Sequence, residues 1–231
     1  MSSSAFAVAL PPAASLPILD SPQRFPVGRI FCIGRNYADH AREMGHDPDR
    51  EPPFFFMKPP SALLADGRDM PYPPHSSDLH HEVEMIVAIG VGGSNIPADQ
   101  ALAHVLGYGV GLDMTCRDVQ NVAKKLSRPW ETSKSFDHSA PCSALRQASA
   151  LGHPARGHIE LRVNGSVRQQ GDLAQMIWSV PEQIAYLSTI FALQPGDLIF
   201  SGTPAGVAAV QRGDRLHARV DGVAELSFAI A

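Results

Sequence analysis

The chain has 231 residues, of which 44% are hydrophobic and 18% charged, and its formal net charge is -4. That balance fits a folded chain with a sizeable core and excludes a disordered one. With no basic stripe, nucleic acid is not an expected partner, so an anionic ligand would need local cations inside a pocket.

The first twenty residues, MSSSAFAVALPPAASLPILD, lack a positive leading region, and Pro11 and Pro12 interrupt their apolar stretch. They read as part of a flexible or loosely docked arm over 1–28, not as a signal peptide. No apolar run reaches the roughly 18 residues of a membrane span, so no membrane partner is expected. Cys32, Cys116 and Cys142 have neither disulfide nor zinc-knuckle spacing. They read as reduced structural thiols of a cytoplasmic protein. A small module is expected over 29–70. In it RIFCIG forms a strand, Asn36 caps a short helix YADHAREM that stops at Gly45, and FFFMK is an apolar run ending at Pro59-Pro60.

The remaining 71–231 read as the core domain. EVEMIVAIG (82–90) is a strand rich in branched residues, PADQALAHVLG (97–107) has helical spacing, and GYGVGLDM (107–114) is a further strand. Thr115 and Asp118 mark the start of a helix running to about Leu126. Asn164-Gly165 and Asp221-Gly222 each sit between strand-like runs and predict two hairpins. Ser179, Pro181 and Glu182 open another helix, and LIFSG (198–202) is a strand leading into a Thr-Pro-Ala-Gly turn. Many strands with hairpins and few helices predict an α+β fold. Its form would be a mixed β-roll or barrel-like sheet with peripheral helices, not a βαβ repeat.

Three acidic residues carry the first chemical signal. Glu82 and Glu84 are two apart in a predicted strand, so both carboxylates face one side. Asp113 closes another strand and could add a third oxygen. Three carboxylates without sulfur suit Mg²⁺ or Mn²⁺, with Ca²⁺ also compatible. The same spacing also describes the polar face of an exposed strand. His80 and His81 precede the pair, but neighbours in a strand face opposite ways, so a zinc site is not expected.

His40 and Glu43 share a helix face. A carboxylate on one ring nitrogen would leave the other as a base, although a surface ion pair has the same spacing. Arg117 and Gln120 share a face of the next helix, and Arg35 and Tyr37 flank a strand-to-helix turn. Lys134 lies in an irregular stretch, and the amides and Thr203 hydroxyl of the turn 201–206 could hold a carboxylate. Each of these cations could equally be a solvated surface charge. Gly90, Gly92 and Gly93 lack the third spaced glycine of a dinucleotide loop.

The ordered motifs are G-R-N-Y-x-x-H-x-x-E (34–43), F-x-K-P (56–59), H-H-E-x-E (80–84), G-x-D-x-T-x-R-D-x-Q (111–120), K-x-F-D (134–137) and S-G-T-P-x-G-V (201–207). Together they resemble the fumarylacetoacetate hydrolase superfamily, from about Arg29 to near the C-terminus. R-E-M-G-x-D-P (42–48) and P-P-F-F-F-x-K-P (52–59) are closest in wording to its bacterial fumarylpyruvate hydrolase and acylpyruvase branch.

The resemblance implies a β-roll core, a Mg²⁺ or Mn²⁺ ion on Glu82, Glu84 and Asp113, and a homodimer. It also implies a water-activating pair His40–Glu43, with substrate-side roles for Arg35, Tyr37, Arg117, Gln120, Lys134 and Thr203. Lys134, expected to act in catalysis, or the backbone near residues 35–37 would supply an oxyanion donor. Ser135 and Ala208 depart from the glycines common in relatives, which bears on substrate range. The implied activity is hydrolysis of a carbon–carbon bond in a small 2,4-diketo acid such as fumarylpyruvate. A decarboxylase of oxaloacetate or a related oxo-diacid, and a non-catalytic binder of oxo acids, are the alternatives.

Overall fold

The computed structural model describes residues 7–43, 52–65 and 67–231. At its centre lies a six-stranded sheet in the order Arg146–Gln147, Val105–Leu112, Val83–Ile89, Leu198–Phe200, Ile30–Gly34, Phe54–Lys58. Strand 198–200 runs parallel to 30–34, and the other pairings are antiparallel. A four-stranded antiparallel sheet (Ser166–Asp172, His158–Val163, Arg215–Val220, Ala224–Ala229) packs on strands 83–89 and 105–112. A third sheet joins Ala208–Val210, Leu79–His81 and Thr115–Cys116. The architecture is the expected mixed α+β roll with few helices; among the described residues no sheet closes into a barrel.

Both faces of the central sheet are covered, which explains the unbroken apolar run in 85–89. Met85, Val87 and Ile89 meet Ile159, Leu161 and Leu216 of the second sheet in one cluster. Ile86 and Ala88 face the other way, onto Ile30, Cys32 and Phe200. That second cluster also takes Leu16, Ile18, Phe25 and Val27. Residues 15–26 are therefore not a loose arm. Strands Ser15–Pro17 and Arg24–Pro26 pair and bury their apolar side chains against the sheet. The boundary drawn near residue 70 does not divide the hydrogen bonding either, because strand 30–34 pairs with 198–200 inside the main sheet.

Both hairpins form where their turn residues stand. Asn164 and Gly165 take φ of 52° and 81°, as a tight two-residue turn needs. In the helix Val180–Ile190, Glu182 accepts from the Ser179 amide at 2.9 Å and hydroxyl at 2.7 Å, which completes the expected capping box.

Two local expectations fail. Residues 97–107 hold only a 3₁₀ turn, Ala101–His104, before the strand begins at Val105. Only 105–107 belong to that strand, and the apolar residues before them sit in turns. Asn36 does not cap the following helix, Ala38–Glu43. Its amide instead ties distant loops together, donating to Ser201 O at 2.7 Å and Trp178 O at 2.9 Å and accepting from Trp178 N at 2.7 Å. The stop at Gly45 and most of the motif at 42–48 lie outside the described residues. No helix among those residues is long and apolar enough to cross a membrane.

Candidate active site

Strand pairing assembles the acidic trio. Val83 faces Leu112 and Glu84 faces Gly111, and the Asp113 amide donates to Glu82 O at 2.8 Å. This register brings one oxygen of each of Glu82, Glu84 and Asp113 within 4.8 Å of the others. All three residues are buried, so the exposed-strand reading of the Glu82/Glu84 pair falls.

Three buried cations surround these oxygens. Arg117 donates to Glu82 Oε1 at 2.5 Å and to Gln120 Oε1 at 2.6 Å. Lys134 donates to Glu82 Oε2 at 2.8 Å and to Asp113 Oδ2 at 2.5 Å. Lys58 Nζ lies 2.9 Å from Asp113 Oδ1, held by the Lys134 carbonyl and by Ser139 Oγ at 3.0 Å. Burial works against a charged Glu82, but the Lys134 and Arg117 charges outweigh it and hold that carboxyl well below the usual range. Burial also works against a charged Lys134, and Asp113 and Glu82 outweigh it and raise its pKa.

Glu84 has no ion-pair partner among the described residues. Burial, then the Asp113 and Glu82 charges, push its carboxyl well above its ordinary value, and the Gly202 amide at 2.6 Å offsets this only in part. A divalent cation among the three carboxylates would remove that conflict. The donors are all oxygen, which suits a hard ion, so the residues fit Mg²⁺ or Mn²⁺.

The turn after strand 198–200 cradles carboxylates, as its free amides suggested, but they are the protein's own. Gly202 donates to Glu84, and Gly206 donates to both Glu43 oxygens at 3.2 Å. Both positions require glycine. Gly202 has φ 102° and a Cβ there would lie 2.5 Å from the Asn36 Cβ; Gly206 has φ 97° and would meet Arg168 O at 2.2 Å. Glu43 Oε2 in turn lies 3.3 Å from His40 Nδ1. With the proton on Nδ1, Nε2 is left as the basic nitrogen. The Thr203 hydroxyl accepts from Gln169 Nε2 at 2.8 Å, and Gln169 Oε1 also meets His81 Nδ1 at 2.8 Å.

His40, the acidic trio, Arg35, Arg117, Gln120, Lys134 and Thr203 all line one cavity. Glu43 sits behind His40. Tyr37 does not line this cavity; its buried ring borders a separate depression with Asp172 and Pro204. The sequence reading missed Lys58, whose motif was noticed but whose burial was not, and it missed the wall formed by Phe54, Phe56, Lys124 and Trp130. The placement of 117, 120 and 124 at i, i+3 and i+7 of one helix is the signal that could have found Lys124.

Residues 29–231 match the family model described as fumarylacetoacetate (FAA) hydrolase C-terminal. The chain belongs to the fumarylacetoacetate hydrolase family. A crystal structure of fumarylpyruvate hydrolase from Pseudomonas aeruginosa, in complex with Mn²⁺ and pyruvate, superposes with a TM-score of 0.96. It is 50% identical, and the match covers 98% of this chain and 99% of that one. Fumarylpyruvate hydrolase of Ralstonia sp is 43% identical over 81% of this chain and 98% of its own length. The mitochondrial oxaloacetate tautomerase of Rattus norvegicus is also 43% identical, over 87% of this chain and 90% of its own. The family thus includes both hydrolases and tautomerases.

Proposed function

We propose that this protein hydrolyses the carbon–carbon bond of 2,4-diketo acids, with fumarylpyruvate the foremost substrate, giving pyruvate and a carboxylic acid. The observation that carries the reading is that His40, backed by Glu43, lines the same cavity as the buried acidic trio. A divalent cation held by Glu82, Glu84 and Asp113 would supply Lewis-acid stabilisation at the oxo-acid end of the substrate. Glu43, itself held by Gly206, orients His40 so that Nε2 can take a proton from water near the C4 carbonyl. General-base help of this kind is worth about 10²–10⁴-fold.

Lys134 has three N–H donors and commits two of them to Glu82 and Asp113. The third is free to meet the oxyanion that forms as water adds to C4. When C3–C4 then breaks, its electron pair leaves with the pyruvate half, which takes a proton at C3, and the acyl half becomes the carboxylic acid. Arg117, Gln120 and Thr203 are assigned to the oxo-acid end. The homodimer implied by the resemblance belongs to the same proposal.

A second reading, tautomerisation of oxaloacetate, is favoured by the 43% identity to the Rattus norvegicus tautomerase. The test follows products by NMR on fumarylpyruvate, maleylpyruvate, acetylpyruvate and oxaloacetate with added Mn²⁺ or Mg²⁺. Equimolar pyruvate and a second carboxylic acid are expected, and His40→Ala should lose at least about 10²-fold in rate while still binding Mn²⁺. Enol–keto exchange of oxaloacetate with no cleavage of any acylpyruvate would replace the hydrolase reading with the second one.

A further inference from the structure

The cavity has a second charged end, at Arg35 and Lys124, to which the mechanism proposed above assigns no step. Phe56 connects the two ends: Lys134 Nζ lies 4.9 Å from its ring centre, and the Trp130 ring centre lies 6.1 Å away. Trp130 meets Phe54 edge-on at 5.2 Å. Each of these outer rings carries a cation. Arg35 lies over Phe54 at 5.5 Å and Lys124 over Trp130 at 5.3 Å. All five side chains line the cavity that holds the acidic trio.

Arg117, Lys134 and Lys58 are committed to carboxylates. Arg35 and Lys124 have no carboxylate partner among the described residues. Both are nevertheless half-buried. Burial, then the charges of Arg117 and Arg35, push the Lys124 ammonium below its ordinary value. The Arg35 backbone also sits at φ 57°, an unfavourable conformation for a residue with a Cβ, and it does so at the turn between strand 30–34 and helix 38–43. Like charges gathered on apolar rings without a counter-ion weaken the empty protein and favour the arrival of an anion.

Building on the acylpyruvate reading, we infer that Arg35 and Lys124 form a subsite for a second carboxylate, one carried at the far end of the acyl group. The guanidinium can take a carboxylate through two parallel N–H bonds, and the ammonium adds a point charge. The wall of Phe54, Phe56 and Trp130 flanks the chain between the two ends, where a flat unsaturated segment packs well on ring surfaces. The preferred class is therefore acylpyruvates that end in a carboxylate, over those with a neutral acyl group. Helix 117–125 presents residues of both ends on one stripe, Arg117 and Gln120 inward and Lys124 outward.

The test compares wild type with Lys124→Gln, Arg35→Gln and Lys124→Arg. Each is assayed with Mn²⁺ on fumarylpyruvate and acetylpyruvate, and each is titrated calorimetrically with fumarate and with crotonate, which lacks the second carboxylate. In both glutamine variants the ratio of kcat/KM for fumarylpyruvate to that for acetylpyruvate should fall at least about tenfold, the scale of one charge-assisted contact. The fall should come chiefly from a higher KM for fumarylpyruvate, and Lys124→Arg should keep most of the preference. Fumarate, not crotonate, should lose affinity. A ratio within about threefold of wild type, or equal weakening of fumarate and crotonate, overturns the subsite. A wild type that releases no carboxylic acid from either substrate refutes the hydrolase reading, and the calorimetric comparison then decides the subsite by itself.

Discussion

Lys58 shows how much of the site depends on a side chain that never meets solvent. Its ammonium is fully buried, 2.9 Å from Asp113 Oδ1, and it also holds the Lys134 carbonyl and Ser139 Oγ. Through Asp113 and the Lys134 backbone it reaches two members of the site at once. Removing one partner of a buried ion pair strands the other charge and costs about 3–5 kcal/mol. Asp113 keeps Lys134 at 2.5 Å, so Lys58→Met, similar in length and apolar, should lower the unfolding free energy by less than that at neutral pH, read as a fall in the urea midpoint. Because the loss is largely uncompensated negative charge, Mn²⁺ should restore part of it; an unchanged midpoint would mean the pair contributes nothing. Sequence spacing could not reveal this. F-x-K-P places a lysine at the end of a strand, and a lysine there is ordinarily solvated. Strand 54–58 is the edge of its sheet, and the lysine is buried because residues 113–139, distant in sequence, supply Asp113, Met114 O, Lys134 O and Ser139 Oγ around its ammonium.

At the scale of elements, what could be read depended on whether a signal was local. Asn164-Gly165 and the Ser179–Glu182 box dictate their own geometry, so the hairpin and the helix stand where their residues put them. Thr115 and Asp118 have the spacing of a helix start, yet other partners claim both, a local one for Thr115 and distant ones for Asp118. Thr115 Oγ1 donates to Asp113 O at 3.1 Å, and the Asp118 carboxylate anchors the 76–77 loop through the Ser76 hydroxyl at 2.6 Å and the Ser77 amide at 2.9 Å. The stretch 97–107 misled because its apolar spacing spans a 3₁₀ turn and the first residues of a strand, which periodicity alone does not separate from one helix.

Asp118 carries a pH prediction. Burial works against its charge, but the Ser76 hydroxyl and the Ser77 and Val119 amides outweigh it and hold the carboxyl below its ordinary value. A folded pKa lowered in this way gives stability above the unfolded value of about 3.9, and that stability is lost as pH falls through the folded value. The gap in urea midpoint between wild type and Asp118→Asn should thus be present at pH 6 and shrink below about pH 4. A gap that stays constant with pH would show that the anchor works through packing and not through charge.

Across the whole molecule, the acidic trio was legible as a set because two strands happen to carry its members at their ends. Its enclosure was not, because that depends on sheets far apart in sequence. Enclosure makes the trio a source of strain when no cation is bound. Glu84, pushed up first by burial and then by Asp113 and Glu82, is the member that carries the cost. A carboxyl whose folded pKa is raised opposes folding at pH values above its unfolded range, so at neutral pH Glu84 weakens the metal-free protein. A cation that binds only the folded state stabilises by about 2.7 kcal/mol at 100 times its Kd. At roughly 2–4 °C of Tm per kcal/mol for a chain of this size, Mn²⁺ should raise Tm by about 5–11 °C. Glu84→Gln keeps an oxygen for the Gly202 amide but removes the charge. It should lose the Mn²⁺-dependent rise while melting, without metal, no lower than wild type. A metal-free Glu84→Gln that melts well below wild type, together with a wild-type Tm that Mn²⁺ does not move, would show that Glu84 serves structure alone and that the trio is not a cation site.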